Sequence, residues 1–301
     1  MKPSGLAAAI AQAIADETRA DFELSSADPV PGGCIHAALR LEGGTADGSK
    51  RYFAKSNEMA FAPMFEAEAE GLAAIAKAGA LKVPRVVLRG GDGGHAWLVL
   101  EWLDLAPLSE RAAGRLGQAL ARQHRIPQER FGWAKDNFIG ATPQANGWSA
   151  DWLDFWRARR LHAQLRLAAR NRLPSKMIDR GERLLADCEA FYRTYRPVPS
   201  LLHGDLWGGN ASATAGDVPV VFDPAVYVGD READLAMTEL FGGFPSQFRT
   251  AYRDEWPLDE GYAVRRDFYN LYHVLNHANL FAGGYVRQAE QLLEKLLSEI
   301  R

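Results

Sequence analysis

Hydrophobic and polar positions change period along the chain, and the changes divide it. Residues 4–19 repeat apolar side chains at helical spacing, then run into Asp16 and Glu17, which predicts a helix rather than a secretion signal. Residues 22–24, 35–41 and 51–55 are short runs of strand character between turn-rich pieces. Pro31-Gly32-Gly33 marks a tight bend between the first two. An Ala/Glu-rich stretch over 64–78 predicts a helix, and residues 83–88 and 97–103 return to strand character around the Gly90–Gly94 turn. After Pro107 the period becomes helical, over 109–124, 150–171 and 175–195. Residues 201–224 interrupt it with a strand, a polar loop and a second strand at 218–222, and residues 232–301 are mainly helical again. The fold class expected is α+β, with two lobes: a small sheet lobe with a helix over residues 1–104 and a larger helical lobe over 105–301.

Composition narrows the class. The chain has 301 residues, 47% of them hydrophobic, and a formal net charge of −3. That balance argues against a nucleic-acid binder held by charge, and no run of 18 uncharged apolar residues suggests a membrane span. Two cysteines, Cys34 and Cys188, are too few for a disulfide scaffold or a thiolate zinc cluster, and read as reduced thiols of a cytoplasmic protein. Trp148, Trp152 and Trp156 recur every four residues and predict a core stripe, whereas the arginines at 157, 159, 160, 166, 170 and 172 predict a solvated helix face.

The densest chemical signal is His203-Gly204-Asp205-Leu206-Trp207-Gly208-Gly209-Asn210, followed by Phe222-Asp223-Pro224. Asp205 precedes Asn210 by five residues and Asp223 by 18, so one loop and the following strand can bring two carboxylates and an amide into one cleft. Phosphoryl transfer from ATP needs such a set: an acid that orients a hydroxyl and accepts its proton, and hard oxygen ligands for Mg²⁺. Asp205 is therefore expected to be the base, with Asn210 and Asp223 as Mg²⁺ ligands. Lys55 ends a strand of the sheet lobe, where a cation for the ATP phosphates is needed. Glu68, bordering the inward face of the next helix, is its expected partner, with Glu66 as the alternative. Gly32, Gly33 and Cys34 would form the turn over the phosphates, and the backbone of Glu101, Trp102 and Leu103 would hold adenine at the lobe boundary. His203 either braces the catalytic loop or contacts substrate, and Trp207 either walls the acceptor site or packs.

These residues, with FDPAVYVGDREADLAM over 222–237, ELFGGFP over 239–245 and LNHANLFAGGY over 275–285, resemble the fructosamine-3-kinase (ketosamine-3-kinase) family. The resemblance implies a protein-kinase-like fold and ATP-dependent phosphorylation of a ketosamine on its third-carbon hydroxyl, either a small molecule or a glycated protein lysine. It implies repair by deglycation. Aminoglycoside or choline kinase-like transfer, or a scaffold that binds nucleotide without turnover, are the rival readings. In such a fold Asp234 would brace the catalytic loop and Asp230 would contact substrate. Asn276, His277 and Asn279 would line the sugar pocket or pack between helices. The resemblance also implies a redox-sensitive Cys34 able to link a homodimer, beside the plainer reading of a small turn residue.

Overall fold

The computed structural model describes residues 5–32, 35–46 and 48–300. Helix α1 (Gly5–Thr18) opens the chain. Strands β1 (Glu23–Pro29), β2 (Ala37–Thr45) and β3 (Gly48–Glu58) follow, then α2 (Ala62–Ala78), β4 (Val86–Gly91) and β5 (His95–Glu101). The strands form an antiparallel sheet in the order β1-β2-β3-β5-β4. Residues 96–100 of β5 are all apolar because that part of the strand is covered on both faces. Its odd-numbered Trp97 and Val99 pack with Ile10 and Ile14 of α1, and its even-numbered Leu98 and Leu100 pack with Leu72 and Ile75 of α2. The same alternation in β3 turns Tyr52 and Ala54 toward α1 and leaves Phe53 and Lys55 on the α2 side.

Helix α3 (Glu110–His124) starts the helical part, its first turn capped by the Ser109 hydroxyl. A small hairpin comes next, β6 (Asn137–Ile139) with β7 (Thr142–Gln144). A helical run follows in three pieces: α4 (Trp152–Phe155), a π-helical turn at Trp156–Leu161, and α5 (His162–Arg170). Helix α6 (Ser175–Asp187) gives way to a 3₁₀ turn at Cys188–Tyr192. Then come β8 (Pro199–Leu202), β9 (Ala211–Thr214), β10 (Val218–Val221) and β11 (Tyr227–Asp230), with β9 pairing β10 and β8 pairing β11. Helices α7 (Arg231–Leu240), α8 (Ser246–Glu255), α9 (Tyr262–Phe281) and α10 (Gly284–Glu299) complete the chain.

Several expected elements end early or shift. The strand placed at 83–88 begins at Val86, and the one at 97–103 stops at Glu101. The helix placed over 175–195 stops at Asp187. Trp148 is exposed ahead of the helix, so the buried aromatic stripe is Trp152 and Trp156 alone. Arg160 is fully buried rather than solvated: the π turn rotates it inward, over the Tyr227 ring at 4.1 Å and onto the Ala145 carbonyl at 2.6 Å. One apolar core joins the sheet to the helical part. It contains Phe65, Leu72 and Leu98 from the first and Leu116, Leu120, Val221 and Phe248 from the second.

Candidate active site

Lys55 leaves β3 toward α2 and is buried. Its Nζ donates to Glu68 Oε1 at 2.8 Å and to Asp223 Oδ1 at 2.5 Å. Burial alone would lower its pKa, but the two carboxylates outweigh burial and hold the ammonium charged. Burial pushes Glu68 up, against the pull of Lys55. Glu66 and Glu70 lie on another side of α2 and take Lys135 instead, at 3.4 and 2.7 Å. Helix α2 can lie close to the segment after Asp223 because of Gly71, where a Cβ would stand 3.1 Å from Pro224 Cγ and 3.3 Å from Val226.

The loop after β8 carries Asp205. Gly204 has φ +83°, and a Cβ there would sit 2.0 Å from the Ala225 carbonyl oxygen, so the turn into Asp205 requires glycine. Asp234, in the first turn of α7, holds this turn from beneath. Its two oxygens accept the backbone N–H groups of His203 and Gly204, each at 2.8 Å, and Nε2 of His124 lies 3.2 Å away. Burial alone would raise Asp234, but the bond from His124 and its positive pull, with His203 and the Gly204 N–H, bring it below the usual carboxylate range. Asp234→Ala would leave two buried N–H donors without acceptors. It is expected to cost about 3 kcal/mol, seen as a lower urea midpoint at unchanged m.

His203 is a brace. Its Nε2 meets the Phe222 carbonyl at 3.0 Å, its Nδ1 takes the Asp205 N–H at 3.3 Å, and its own carbonyl accepts from Ala225 N at 2.8 Å. With both ring nitrogens on the main chain and the residue buried, the substrate role considered for it is corrected. The same bonds hold the chain on either side of Asp223, whose φ of +56° is a conformation that costs a non-glycine residue about 1 kcal/mol. Two groups of the hairpin add to the hold: Asn137 Nδ2 donates to Val226 O at 2.7 Å and Gln144 Nε2 to Ala225 O at 3.2 Å. Nothing in the spacing of Asn137 and Gln144 along the chain shows this role.

Asn210 turns its amide N–H toward Asp205, at 2.9 Å from the backbone oxygen and 3.3 Å from Oδ2. Burial raises Asp205 to about 7, the Asp223 charge adds to the rise, and the Asn210 bond opposes it. Beyond Asp205, the rings of Trp207 and Phe241 meet edge to face at 6.2 Å, Phe241 meets His277 at 5.1 Å, and His277 meets Tyr285 at 4.9 Å. Trp207 and Phe241 are each 40% exposed, so this is an accessible aromatic wall rather than core. Phe241 and Tyr285 escaped sequence reasoning because ring contacts between separate helices leave no local pattern.

Asp230 does not reach this wall. It is fully buried, accepts from the Tyr195 and Tyr269 hydroxyls at 2.8 and 2.5 Å, and caps α7 through Glu232 N, which corrects the substrate role expected for it. Burial raises its pKa. Glu232 pairs with Arg265 at 2.7 Å, while Arg231 stacks on Trp256. Asn276 and Asn279 spend their amides on packing, with Ile139 and Gln164. At the lobe boundary the Glu101 N–H is spent on the Arg85 carbonyl at 2.9 Å. Trp102 and Leu103 lie beyond the end of β5. Gly32 has φ +121° and open space around it, while Gly33 and Cys34 lie outside the described residues.

A charged lysine pinned by a helix glutamate under an antiparallel sheet, opposite a braced loop aspartate, is the arrangement of the protein-kinase-like fold, and the protein is a phosphotransferase of that class. The model of the fructosamine kinase family matches residues 6–299, and the chain belongs to that family. It is 44% identical to a "probable ketoamine kinase" of Synechocystis over 96% of each chain. It is 36% identical to the chloroplastic protein-ribulosamine 3-kinase of Arabidopsis thaliana, over 93% of this chain and 85% of that one. Among solved structures, a "putative fructosamine-3-kinase" from Haemophilus somnus superposes with a TM-score of 0.85 at 29% identity, covering 96% of each chain.

Proposed function

We propose that this enzyme transfers the γ-phosphoryl group of ATP to the third-carbon hydroxyl of a ketosamine, in a cleft between residues 1–104 and 105–301. The observation that carries the phosphotransfer reading is Lys55 held between Glu68 and Asp223, with His203 tying the chain beside Asp223 to the loop of Asp205. The acceptor class follows from the family and from the curated relatives, named as ketoamine and ribulosamine kinases. Asp205, raised to about 7, suits a group that accepts a hydroxyl proton near neutral pH while orienting the oxygen for in-line attack. Lys55 would hold phosphate oxygens, and Trp207, Phe241 and His277 would wall the acceptor.

The residues fit Mg²⁺. Asn210 directs its N–H at Asp205, which leaves its carbonyl oxygen as a donor, and Asp223 supplies a carboxylate. One carboxylate and one amide oxygen suit an ion that takes its other ligands from phosphate and water. When bound, Mg²⁺ would neutralise charge on the phosphates. A phosphate at the third carbon makes the adduct labile, because enolisation can expel it and release the amine. That chemistry suits repair of glycated amines, in the cytoplasm, on small ketosamines or protein lysines. Among the described residues no helix is long and apolar enough to cross a membrane.

Fructose, ribulose and erythrulose adducts of one amine, assayed for ADP release and followed by ³¹P NMR, test the reading. At least one should be phosphorylated at the third carbon. Phosphate appearing only on aminoglycosides or choline, or no turnover at all, would sink it.

A further inference from the structure

His36 enters neither the sequence-based expectations nor the site described above. It sits just ahead of β2 and after the glycine turn. In the register of β2 with β3, Ala37 faces Ser56 and Ala38 faces Lys55, which places His36 opposite Asn57. Residues 36 and 38 share a face with 55 and 57, and Lys55 shows that this is the face turned toward Glu68 and Asp223.

The hydrogen bonds fix the imidazole. The Glu58 N–H donates to Asn57 Oδ1 at 2.8 Å, and Asn57 Nδ2 donates to the Ile35 carbonyl at 2.9 Å, so the amide orientation is settled twice over. Asn57 Nδ2 also lies 3.0 Å from His36 Nδ1, which must then accept. The proton is left on Nε2, and among the described residues no group accepts it. The ring tilts against Phe65 at 4.6 Å, which steadies it. Burial and the Lys55 charge lower its pKa to about 4, with Asp223 opposing, so the ring is a neutral donor that does not repel Lys55.

We propose that His36 is a nucleotide-binding residue: its Nε2–H donates to a terminal phosphate oxygen of ATP, and Asn57 holds the tautomer that makes this contact. The proposal rests on the reading of this cleft as an ATP site, but not on the identity of the acceptor. It is tested on the full-length protein with no acceptor present, by calorimetry of ATP and of AMP with Mg²⁺. His36→Phe keeps the ring and its packing on Phe65 but removes the donor. It should weaken ATP about tenfold and leave AMP unchanged, while His36→Gln, whose amide N–H replaces Nε2–H, should recover most of the loss. In the wild type, the Nε2 nitrogen resonance should move on adding ATP and not on adding AMP. ATP affinity of His36→Phe within twofold of the wild type would overturn the proposal. So would equal weakening of ATP and AMP, since the ring would then only support the sheet. A wild type that binds ATP with this pattern yet phosphorylates no ketosamine would refute the acceptor assignment alone and support His36.

Discussion

Asp205→Asn is expected to bind Mg-ATP about as tightly as the wild type and to lose roughly three orders of magnitude in turnover. The amide can still accept a hydrogen bond from the acceptor hydroxyl but cannot take its proton. Near-wild-type turnover on a ketosamine would remove Asp205 from the role. The raised carboxylate adds two pH signatures. In the free enzyme Asp205 must be ionised to act, so kcat/KM of the wild type should fall about tenfold per unit below pH 7. The stability effect has the opposite sense to that of a paired carboxylate. The folded pKa lies above the unfolded one, near 3.8, so the fold is unburdened at low pH and loses stability as pH rises through about 7. Asp205→Asn escapes that loss. By thermal melting it should exceed the wild type by roughly a few degrees at pH 8, and the gain should vanish by pH 4. A gain independent of pH would mean that the carboxylate is not held in the unfavourable setting described.

Asp223→Ala should abolish the Mg²⁺-dependent part of ATP binding and lower turnover by at least about a thousandfold. Asp223 is one of the two carboxylates on Lys55 and would supply the carboxylate to Mg²⁺. Because its φ is +56°, alanine also lacks the short polar side chain that eases this conformation, so backbone strain accompanies the loss of charge. Asp223→Asn is the companion variant: asparagine tolerates that conformation and removes only the charge. Both variants should lose the Mg²⁺ effect in calorimetry. Unchanged Mg-ATP affinity in Asp223→Asn would refute the assignment, whatever the stability of the alanine variant.

The sheet residues were the most legible part of the chain. Strand β5 announces itself by an unbroken apolar run, and the start of α2 by its Ala/Glu composition. Glu68 rather than Glu66 could be chosen as the lysine partner because helical periodicity places it beside the inward face. The hairpin of Asn137 and Gln144 was not legible as structure, since three-residue strands are too short to show a period. The π turn that buries Arg160 was equally hidden, because the sequence around it reads as ordinary helix.

Asp230 and Asp234 mark the boundary between the two kinds of knowledge. They stand one helical turn apart in one motif, and each could have faced substrate. The fold gives one to a pair of tyrosine hydroxyls and the other to the catalytic-loop backbone. The sequence alone determined the order of strands and helices over residues 5–124, the spacing of Asp205, Asn210 and Asp223, and the family, because backbone periodicity and loop motifs are written in adjacent residues. Only the tertiary structure decided that Lys55 meets Asp223 across 168 positions, that His203 supports the chain around Asp223, and that Asp230 is shut away. Those outcomes depend on which buried polar groups find partners once the lobes pack, and no local pattern records that competition.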